Sequence, residues 1–529
     1  MEKKGGKEQF SSRWGLVLAA LGAAVGTGNI WRFPKEVASN GGSAFILIYI
    51  LFLFSWSIPL LIAEFAIGKK TRMGTIGAFK KILGKKYLWM GVWMMLVSAA
   101  INFYYAVVMG WTVRYFWVAL SGGITSEVDT FQLWDSFISS WHLVIFFQVI
   151  SLAAGLLIVY YGVAKGIEKA TKFMIPALFL LLVGAMLWSL TLPRAYQGLR
   201  FMFWADWSAL GSGETWIRAL AQSAWSCSAG MGMGITYAVY MSKKEDIALN
   251  SFLTGFGDSA IALVAGIAVI CTVFASANSY EAAEGYLAEG GTALTFIYLT
   301  NLFAKMPLGW LIAPMFFLAM AFAALTSLIS GMEISARNLI DFGWTRKKSV
   351  IVVTVVTFLL GIPSAVIVLH LNGAPVTAFL DNQDLVWGIG LIVSCFFVAF
   401  AIWKYGTSRF RREFINTKWN DLKIGKWWDI IIKYFFPVQL IALFGWYLYQ
   451  TWSSPSKEWW HKGHWAVIVL LLEWAAVMVI AILLNRKLGN RLDEVEAEKR
   501  RADEEEAAQA GQIVEPLQTY EIIDFGEKG

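Results

Sequence analysis

The sequence predicts an all-α polytopic membrane protein. Of its 529 residues, 57% are hydrophobic, 16% are aromatic and only 15% are charged, which is far outside the composition of soluble domains. A helix needs about 20 apolar residues to cross the hydrocarbon core of a bilayer. Segments of that kind lie at about 14–36, 42–68, 88–120, 141–161, 168–190, 214–241, 250–275, 309–340, 349–370, 385–405, 430–452 and 464–485, which predicts twelve transmembrane helices.

The first of these segments is interrupted in its middle. Residues 22–34 read Gly-Ala-Ala-Val-Gly-Thr-Gly-Asn-Ile-Trp-Arg-Phe-Pro, and each glycine weakens a helix by about 1 kcal/mol relative to alanine. A second interrupted stretch, Ser226–Gly234, lies in the sixth segment. Broken backbone at membrane depth is tolerated only where it is buried in protein or lines a cavity. Close packing of helices is the alternative explanation of the glycines, but it accounts for neither Asn29 nor Arg32.

Two interrupted helices in corresponding halves of a chain indicate the binding site of a secondary transporter. Segments one to five and six to ten each begin with an interrupted helix, and five is an odd number, so the two units face opposite ways. This predicts a 5+5 inverted repeat with helices 1 and 6 unwound, plus two extra helices. The expected order is an N-terminal segment (1–13), the first repeat (14–190), an outer loop (191–213), the second repeat (214–405), a basic loop (406–429), helices eleven and twelve (430–485) and a charged tail (486–529), helical to about residue 510.

The distribution of basic residues predicts the orientation. Lysine and arginine are concentrated in every second connection, notably 69–86 and 404–426, whereas the opposite loops carry only Arg194, Arg200, Lys305, Lys457 and Lys462. Cytoplasmic loops carry the basic excess, which predicts a multi-pass protein of the cell membrane with both termini in the cytoplasm. The net charge of +7 therefore reflects the orientation of the chain in the lipid bilayer. A nucleic-acid partner is not needed to explain it. The sequence does not distinguish a monomer from a homodimer.

The most specific motif is Gly26–Pro34, followed by Asn40-Gly-Gly42 and, further on, by Ile58-Pro59 and Glu64. With these residues the chain resembles the neurotransmitter:sodium symporter family, in particular its bacterial, leucine-transporter-like amino-acid transporters. The resemblance covers helices one to ten. It implies a sodium-coupled symporter that imports an amino acid by alternating access, and it implies no enzymatic activity.

Unwound helices leave N–H and C=O groups free at their broken ends, and the N-terminal end of a half-helix attracts a carboxylate. By resemblance, the N–H groups of Thr27 and Gly28 and the hydroxyl of Tyr105 hold the substrate carboxylate. The amino group is assigned to the carbonyls of Ala24, Trp225 and Ser226 and to the hydroxyl of Ser228. The side-chain pocket is assigned to Ile101, Ala229, Met231, Ser327 and Gly331, with Trp225 above.

Two residues of this site bear on the substrate. Monoamine transporters of the family resemble one another in carrying aspartate where this chain has Gly26, so glycine favours a substrate that brings its own carboxylate. The small Gly331 and the adaptable Met231 favour a neutral amino acid with a large aliphatic or aromatic side chain. Ordinary core packing, without a bearing on substrate size, is the alternative.

The resemblance also implies two sodium ions. Sodium is a hard cation that takes oxygen ligands, by the same argument as calcium and magnesium. The first site is assigned to Ala24, Asn29, Ser226, Asp258 and the substrate carboxylate, and the second to Gly22, Val25, Ala323, Thr326 and Ser327. A Thr-Ser pair in an apolar helix often hydrogen-bonds only to its own preceding turn, and that alternative stays open for Thr326 and Ser327.

Chloride is not expected. Animal members of the family resemble one another in carrying asparagine at the position of Asp258 and a chloride-binding serine four residues later, where this chain has Ala262. Tyr49 and Gln222 match the remaining chloride ligands. The hypothesis is that the fixed carboxylate of Asp258 replaces the charge of chloride.

The resemblance further assigns two gates. Arg32 and Asp384 form the expected outer ion pair, and Lys7 and Asp341 form the expected inner pair, with Tyr240 nearby. The expected role of Glu64 is to accept hydrogen bonds from the unwound first helix. Static salt bridges that only anchor helices are the alternative for both pairs.

Other classes of function fit less well. No His/Asp/Ser constellation or metal-ligand spacing supports a membrane enzyme. An amino-acid-gated sensor or channel on the same scaffold needs only one gate, whereas two are predicted. A proton-coupled amino-acid permease of similar architecture is the closest alternative.

Overall fold

The protein is described here by a computed structural model covering residues 8–371, 374–453 and 463–509. The first half contains helices α1 Arg13–Ala24, α2 Gly28–Ser39, α3 Ser43–Phe52, α4 Ile58–Thr71, α5 Thr75–Leu83, α6 Leu88–Leu120, α7 Thr130–Ser139, α8 Trp141–Tyr160, α9 Glu168–Leu190 and α10 Ala195–Phe203. The second half contains α11 Gly213–Ser226, α12 Met233–Val239, α13 Ile247–Ser276, α14 Tyr280–Glu289, α15 Thr300–Lys305, α16 Gly309–Asp341, α17 Arg346–Val366, α18 Ala378–Tyr405, α19 Thr407–Phe410, α20 Lys426–Ile430, α21 Phe436–Ser453 and α22 Gly463–Gln509.

Short irregular turns of helix join several of these elements. π-Helical turns lie at Leu53–Ser57, Val163–Ile167, Ala293–Leu299, Arg411–Ile415 and Ile431–Phe435, and 3₁₀ turns lie at Lys85–Tyr87 and Trp207–Gly211. The sequence did not predict the antiparallel hairpin of β1 Leu369–Leu371 and β2 Ala374–Val376, in which Leu369 pairs with Val376. Apart from these two strands and a single bridge between Gly42 and Ala205, all regular secondary structure in the described part of the chain is helical.

The helices reproduce the predicted spans. Within the described residues, ten helices are long and apolar enough to cross a membrane, and the bent pair α1–α2 raises that number to eleven. The remaining predicted span, 214–241, consists of α11 with 14 residues and α12 with 7 residues, so neither piece crosses a bilayer alone. Each broken span leads a set of four further long helices, as the predicted repeat requires.

The first break follows from the local sequence. Helix α1 begins at the N-cap Ser12, whose hydroxyl accepts from the N–H of Gly15 at 3.1 Å. It stops at Ala24 because Val25 has an extended backbone, with ψ at 114°. Helix α2 then starts at Gly28, and the axes of the two helices differ by 54°.

The second break, Cys227–Gly232, depends on left-handed backbone. Gly230 has a φ of 91°, and a Cβ atom there would lie 2.2 Å from Sγ of Cys395. Ser228 adopts a φ of 51° although it is not glycine. Such conformations cost about 1–3 kcal/mol each and persist where the surroundings hold them, which indicates a functional constraint on this turn.

The last helix, α22, continues without interruption beyond the predicted span into the charged tail. Its tail part lies against α5 and the start of α6. The Nζ of Lys80 lies 2.6 Å from Asp493 and 3.3 Å from Glu496, and Lys85 also pairs with Asp493. Leu492 is buried in an apolar cluster with Ile76, Leu88 and Val92. The tail therefore packs against the rest of the protein as far as Glu496, and α22 continues as a helix to Gln509.

Lys80→Met is expected to destabilise the protein by about 1–3 kcal/mol. The side chain of Lys80 is only 9% exposed, so the substitution removes the buried half of a partly buried ion-pair cluster, although Lys85 and Lys81 still pair with Asp493 and Glu496. Lys85 is 52% exposed, so the matched change Lys85→Met should cost less than about 1 kcal/mol. Thermal unfolding in detergent measures both. Equal effects of the two substitutions would show that burial of Lys80 has no energetic consequence.

Candidate functional site

A cavity of about 490 Å³ lies between the two breaks and helices α6, α16 and α18. The breaks place free main-chain groups at its wall, and the long helices supply side chains. Ala229 does not line this cavity, whereas the other residues predicted to bind the substrate do: Ala24, Thr27, Gly28, Ile101, Tyr105, Trp225, Ser226, Ser228, Met231, Ser327 and Gly331. The structure therefore brings together residues that are up to about 300 positions apart in the sequence.

Side chains from α6 and α16 hold the first break in place. The hydroxyl of Tyr105 accepts from the N–H of Thr27 at 3.3 Å, and the hydroxyl of Ser327 donates to the carbonyl of Val25 at 3.1 Å. A Cβ atom on Gly26 would lie 3.2 Å from both hydroxyl oxygens. Gly26 thus keeps the space between Tyr105 and Ser327 open to the cavity.

The second break is held in the same way. The hydroxyl of Ser228 donates to the carbonyl of Ala23 in the first broken span at 3.1 Å. The hydroxyl of Ser98 on α6 donates to the carbonyl of Met231 at 2.6 Å. The two breaks are therefore linked directly to each other and to α6.

A polar cluster at the edge of the cavity contains the three predicted side chains of the first sodium site. The carboxylate of Asp258 is fully buried and accepts from Nδ2 of Asn29 at 2.7 Å and from the hydroxyl of Ser226 at 2.6 Å. The thiol of Cys227 lies 3.6 Å from the same carboxylate. Among the described residues no basic side chain forms an ion pair with Asp258. A buried carboxylate without a positive partner is costly, so this cluster is suited to a cation.

The residues predicted for the second sodium ion also lie together, between the first break and α16. A Cβ atom on Gly22 would lie 3.1 Å from Cβ of Thr326, and Ser327 reaches Val25 across the helix interface. The hydroxyl of Thr326 donates to the carbonyls of Phe322 and Ala323, each at 3.0 Å. Thr326 thus hydrogen-bonds to the preceding turn of its own helix, as the alternative to a sodium ligand predicts, whereas Ser327 bonds to the first broken span.

The prediction that Glu64 accepts hydrogen bonds from the first broken span was wrong. Its carboxylate accepts from the N–H groups of Gly230 at 2.5 Å and Gly234 at 3.0 Å, which belong to the second break and not to the first. The N-terminal end of α12 points its free N–H groups at this carboxylate, as helix N-termini attract anions. Glu64 therefore stabilises the unwound sixth span.

The expected outer ion pair is not formed directly. Arg32 and Asp384 both line the cavity, but Asp384 accepts from the hydroxyl of Tyr104 at 2.8 Å. The guanidinium of Arg32 lies 5.6 Å from the centre of the Trp225 ring and 4.0 Å from Glu36. The two side chains therefore line the same cavity without a direct ion pair between them.

Besides the acid of the predicted inner pair, the inner end carries a network of charged side chains. Lys7 lies outside the described residues, and Asp341 pairs with Arg337 and accepts from the N–H of Gly74 at 2.7 Å. The remaining contacts form one network centred on Arg346. It binds Glu333 at 2.7 Å, Glu8 at 2.5 Å and the hydroxyl of Tyr240 at 3.0 Å.

The prediction of Tyr240 at the inner end is consistent with this network, in which its hydroxyl donates to Glu333 at 2.5 Å. Sequence reasoning missed Glu8, Glu333 and Arg346. Glu333 carried a usable signal, because an acid inside an apolar span is a functional candidate by default. Tyr104 carried none, since a tyrosine on an apolar helix is unremarkable without its partner Asp384.

The broken spans, the central cavity and the buried carboxylate of Asp258, which has no basic partner among the described residues, define a secondary transporter of the membrane. The family model described as the sodium:neurotransmitter symporter family matches residues 7–130 and 126–490. The chain therefore belongs to the sodium:neurotransmitter symporter family. It is a multi-pass membrane transporter of a family that uses sodium, and it is not an enzyme.

Relatives and a solved structure agree with this assignment. An uncharacterized sodium-dependent transporter of Methanocaldococcus jannaschii is 32% identical over 453 residues, covering 83% of this chain and 89% of that protein. A sodium- and chloride-dependent taurine transporter of Bos taurus is 26% identical, covering 76% of this chain and 72% of that protein. The crystal structure of MhsT in complex with L-phenylalanine is similar with a TM-score of 0.72 and 32% identity, covering 83% of this chain and 99% of MhsT.

Proposed function

We propose that the protein is a sodium-coupled symporter that imports a neutral hydrophobic L-amino acid, and that it does so without chloride. The observation that carries the proposal is the fully buried carboxylate of Asp258, bonded to Asn29 and Ser226 without a basic partner in the described residues. A sodium ion at this position would neutralise the carboxylate. The carbonyl of Ala24 and the substrate carboxylate would complete its oxygen ligands.

The neighbouring cavity supports the proposed substrate class. Gly26 leaves the hydroxyls of Tyr105 and Ser327 accessible, and no acidic side chain occupies position 26 to pair with an amine. A substrate carboxylate between Tyr105 and the sodium ion would supply the negative charge that no side chain at position 26 provides. The wall beyond it is formed by Ile101, Met231 and the ring of Trp225, which suits a large apolar side chain. MhsT, whose structure holds L-phenylalanine, supports this class.

The coupling between ion and substrate has a physical basis in the shared ligand. When the substrate carboxylate binds the ion directly, each strengthens the binding of the other by the same factor. The second ion, held by Gly22, Val25, Ala323, Thr326 and Ser327, would join the first broken span to α16. Release of the ions toward the inner side requires the network of Arg346 with Glu8 and Glu333 to open. Glu8 and the C-terminal part of α22 lie at that end, which the distribution of basic residues assigns to the cytoplasm.

Independence from chloride rests on the charge of Asp258. The hydroxyl of Tyr49 pairs with Ser259 at 3.0 Å, and Ala262 offers no hydroxyl four residues after Asp258. A chloride ion beside the buried carboxylate would meet a like charge, which is unfavourable at short range.

Uptake of radiolabelled L-phenylalanine into proteoliposomes tests the proposed function. We expect accumulation when a sodium gradient is imposed with gluconate as the only anion. No accumulation in choline, even with an imposed pH gradient, should separate this function from a proton-coupled permease. Counterflow into vesicles preloaded with unlabelled substrate should separate a carrier from a channel. Uptake that requires chloride, or that follows the pH gradient in choline, would contradict the proposal.

A further inference from the structure

One polar side chain in the cavity has no role in the proposed function. Asn102 on α6 is only 4% exposed and lines the cavity. Its amide nitrogen is fully buried and has no hydrogen-bond partner among the described residues. Buried polar groups are normally paired, so an unpaired amide in the wall of a binding cavity indicates a partner on the ligand.

The opposing helix makes room for this amide. A Cβ atom on Gly331 of α16 would lie 2.5 Å from Oδ1 and 2.8 Å from Cγ of Asn102. No other residue type could stand at position 331 without displacing the amide. Gly331 and Asn102 therefore form a matched pair at the cavity wall, with the amide held against the bare backbone of α16.

The position of this pair relative to the proposed carboxylate site can be read from the helices. Asn102 precedes Tyr105 by three residues and Gly331 follows Ser327 by four. At a rise of about 1.5 Å per residue, the pair lies about 4.5–6 Å further along the helices. Both displacements point toward the inner end, where α16 carries Glu333. This separation is comparable to the length of an aromatic side chain whose amino-acid head group is held at Tyr105 and Ser327.

We infer that Asn102 binds a polar group at the far end of the substrate side chain, and that the preferred substrate is a hydroxylated aromatic amino acid, L-tyrosine, over its apolar analogues. The phenol hydroxyl can donate to Oδ1 of Asn102, and the phenol oxygen can accept from the unpaired Nδ2 once the amide turns toward the ligand. Ile101 and Met231 supply the apolar walls for the ring. This inference deepens the proposed function and rests on it.

Sites built to hydrogen-bond a substrate group discriminate strongly against analogues that lack the group, because the buried protein group is then left unpaired. L-Phenylalanine lacks the hydroxyl. 4-Methyl-L-phenylalanine has a methyl group in its place and therefore separates the effect of size from the effect of hydrogen bonding. A preference of about tenfold for tyrosine over both is expected, which is the factor given by one net hydrogen bond.

Binding of the three amino acids to the purified full-length protein in sodium tests the inference, measured by thermal shift and by competition with a radiolabelled ligand. Asn102→Leu should remove the preference for tyrosine while phenylalanine still binds. The matched control is Asn250→Leu, because Asn250 is also buried with an unpartnered amide but does not line the cavity. It should keep the preference. Asn102→Ala replaces Asn102→Leu if the larger side chain prevents folding.

The outcomes separate the two proposals. Equal binding of tyrosine, phenylalanine and 4-methylphenylalanine by the unaltered protein would overturn the inference alone, as would an unchanged preference in both Asn102 variants. An ordered water molecule paired with Asn102 would give that result. Failure of all three amino acids to bind in sodium would overturn the proposed function, and the inference with it.

Discussion

Replacing Asp258 with asparagine is expected to raise the sodium concentration needed for half-maximal amino-acid binding by about 10- to 100-fold. Asn29 and Ser226 place their polar groups around this carboxylate, so the substitution keeps the shape of the cluster and removes its charge. Two unit charges about 4 Å apart attract by about 4 kcal/mol at an effective dielectric constant near 20. Desolvation of the two charges offsets part of this attraction. A net loss of about 1.4–2.8 kcal/mol corresponds to the 10- to 100-fold change in sodium concentration. Substrate binding titrated with sodium gluconate measures it.

Ser226→Ala is the matched control for Asp258→Asn. It removes a neutral ligand assigned to the ion and its hydrogen bond to Asp258 but leaves the charge, so a smaller increase in the sodium concentration needed for binding is expected. In the Asp258→Asn variant, chloride should partly restore binding, because Tyr49 and Gln222 remain and the fixed negative charge is gone. A variant with unaltered sodium dependence and no response to chloride would contradict the assignment of Asp258 to the ion site.

Tyr105→Phe is expected to weaken amino-acid binding by about 10- to 100-fold without changing the fold. The Tyr105 hydroxyl lies 3.3 Å from the N–H of Thr27 and close to the position that a carboxylate would occupy beside Gly26. Hydrogen bonds to charged groups contribute about 1.5–3 kcal/mol. Equilibrium binding of radiolabelled phenylalanine at saturating sodium measures the change.

Tyr237→Phe provides the comparison for Tyr105→Phe. The hydroxyl of Tyr237 is also buried and pairs with Ser330 at 2.7 Å, but Tyr237 does not line the cavity. This substitution should lower the melting temperature slightly and leave phenylalanine affinity unchanged. If the two tyrosines gave equal losses of affinity, Tyr105 would act on binding only through stability.

The sequence predicted most of the fold because the physical signals were local. Helix α6 has the predicted bounds, and α13 and α16 differ from the prediction by a few residues. Both breaks lie where glycines interrupt apolar runs. Helix α22 extends past its predicted span because alanine and alternating charges continue a helix beyond the bilayer, and its contact with Lys80 depends on tertiary packing.

Site residues within a sequence motif could be predicted, whereas those whose role depends on a contact partner elsewhere in the chain could not. The unwound stretch around Gly26 and the acid Asp258 were visible as polar or flexible residues inside apolar spans. The target of Glu64 was not, since several free N–H groups could satisfy the same carboxylate and only the packing of α4 against α12 selects among them. Asn102 likewise gave no signal until Gly331 stood opposite it.

The central claim is that two broken spans hold an amino acid and sodium at one shared site. Equilibrium dialysis of the purified protein tests it most directly, with the affinity of L-phenylalanine measured across sodium concentrations and the affinity of sodium measured with and without L-phenylalanine. The account predicts that each ligand raises the affinity of the other by the same factor, in gluconate and in the absence of chloride. Equal binding of phenylalanine in choline and in sodium would contradict it.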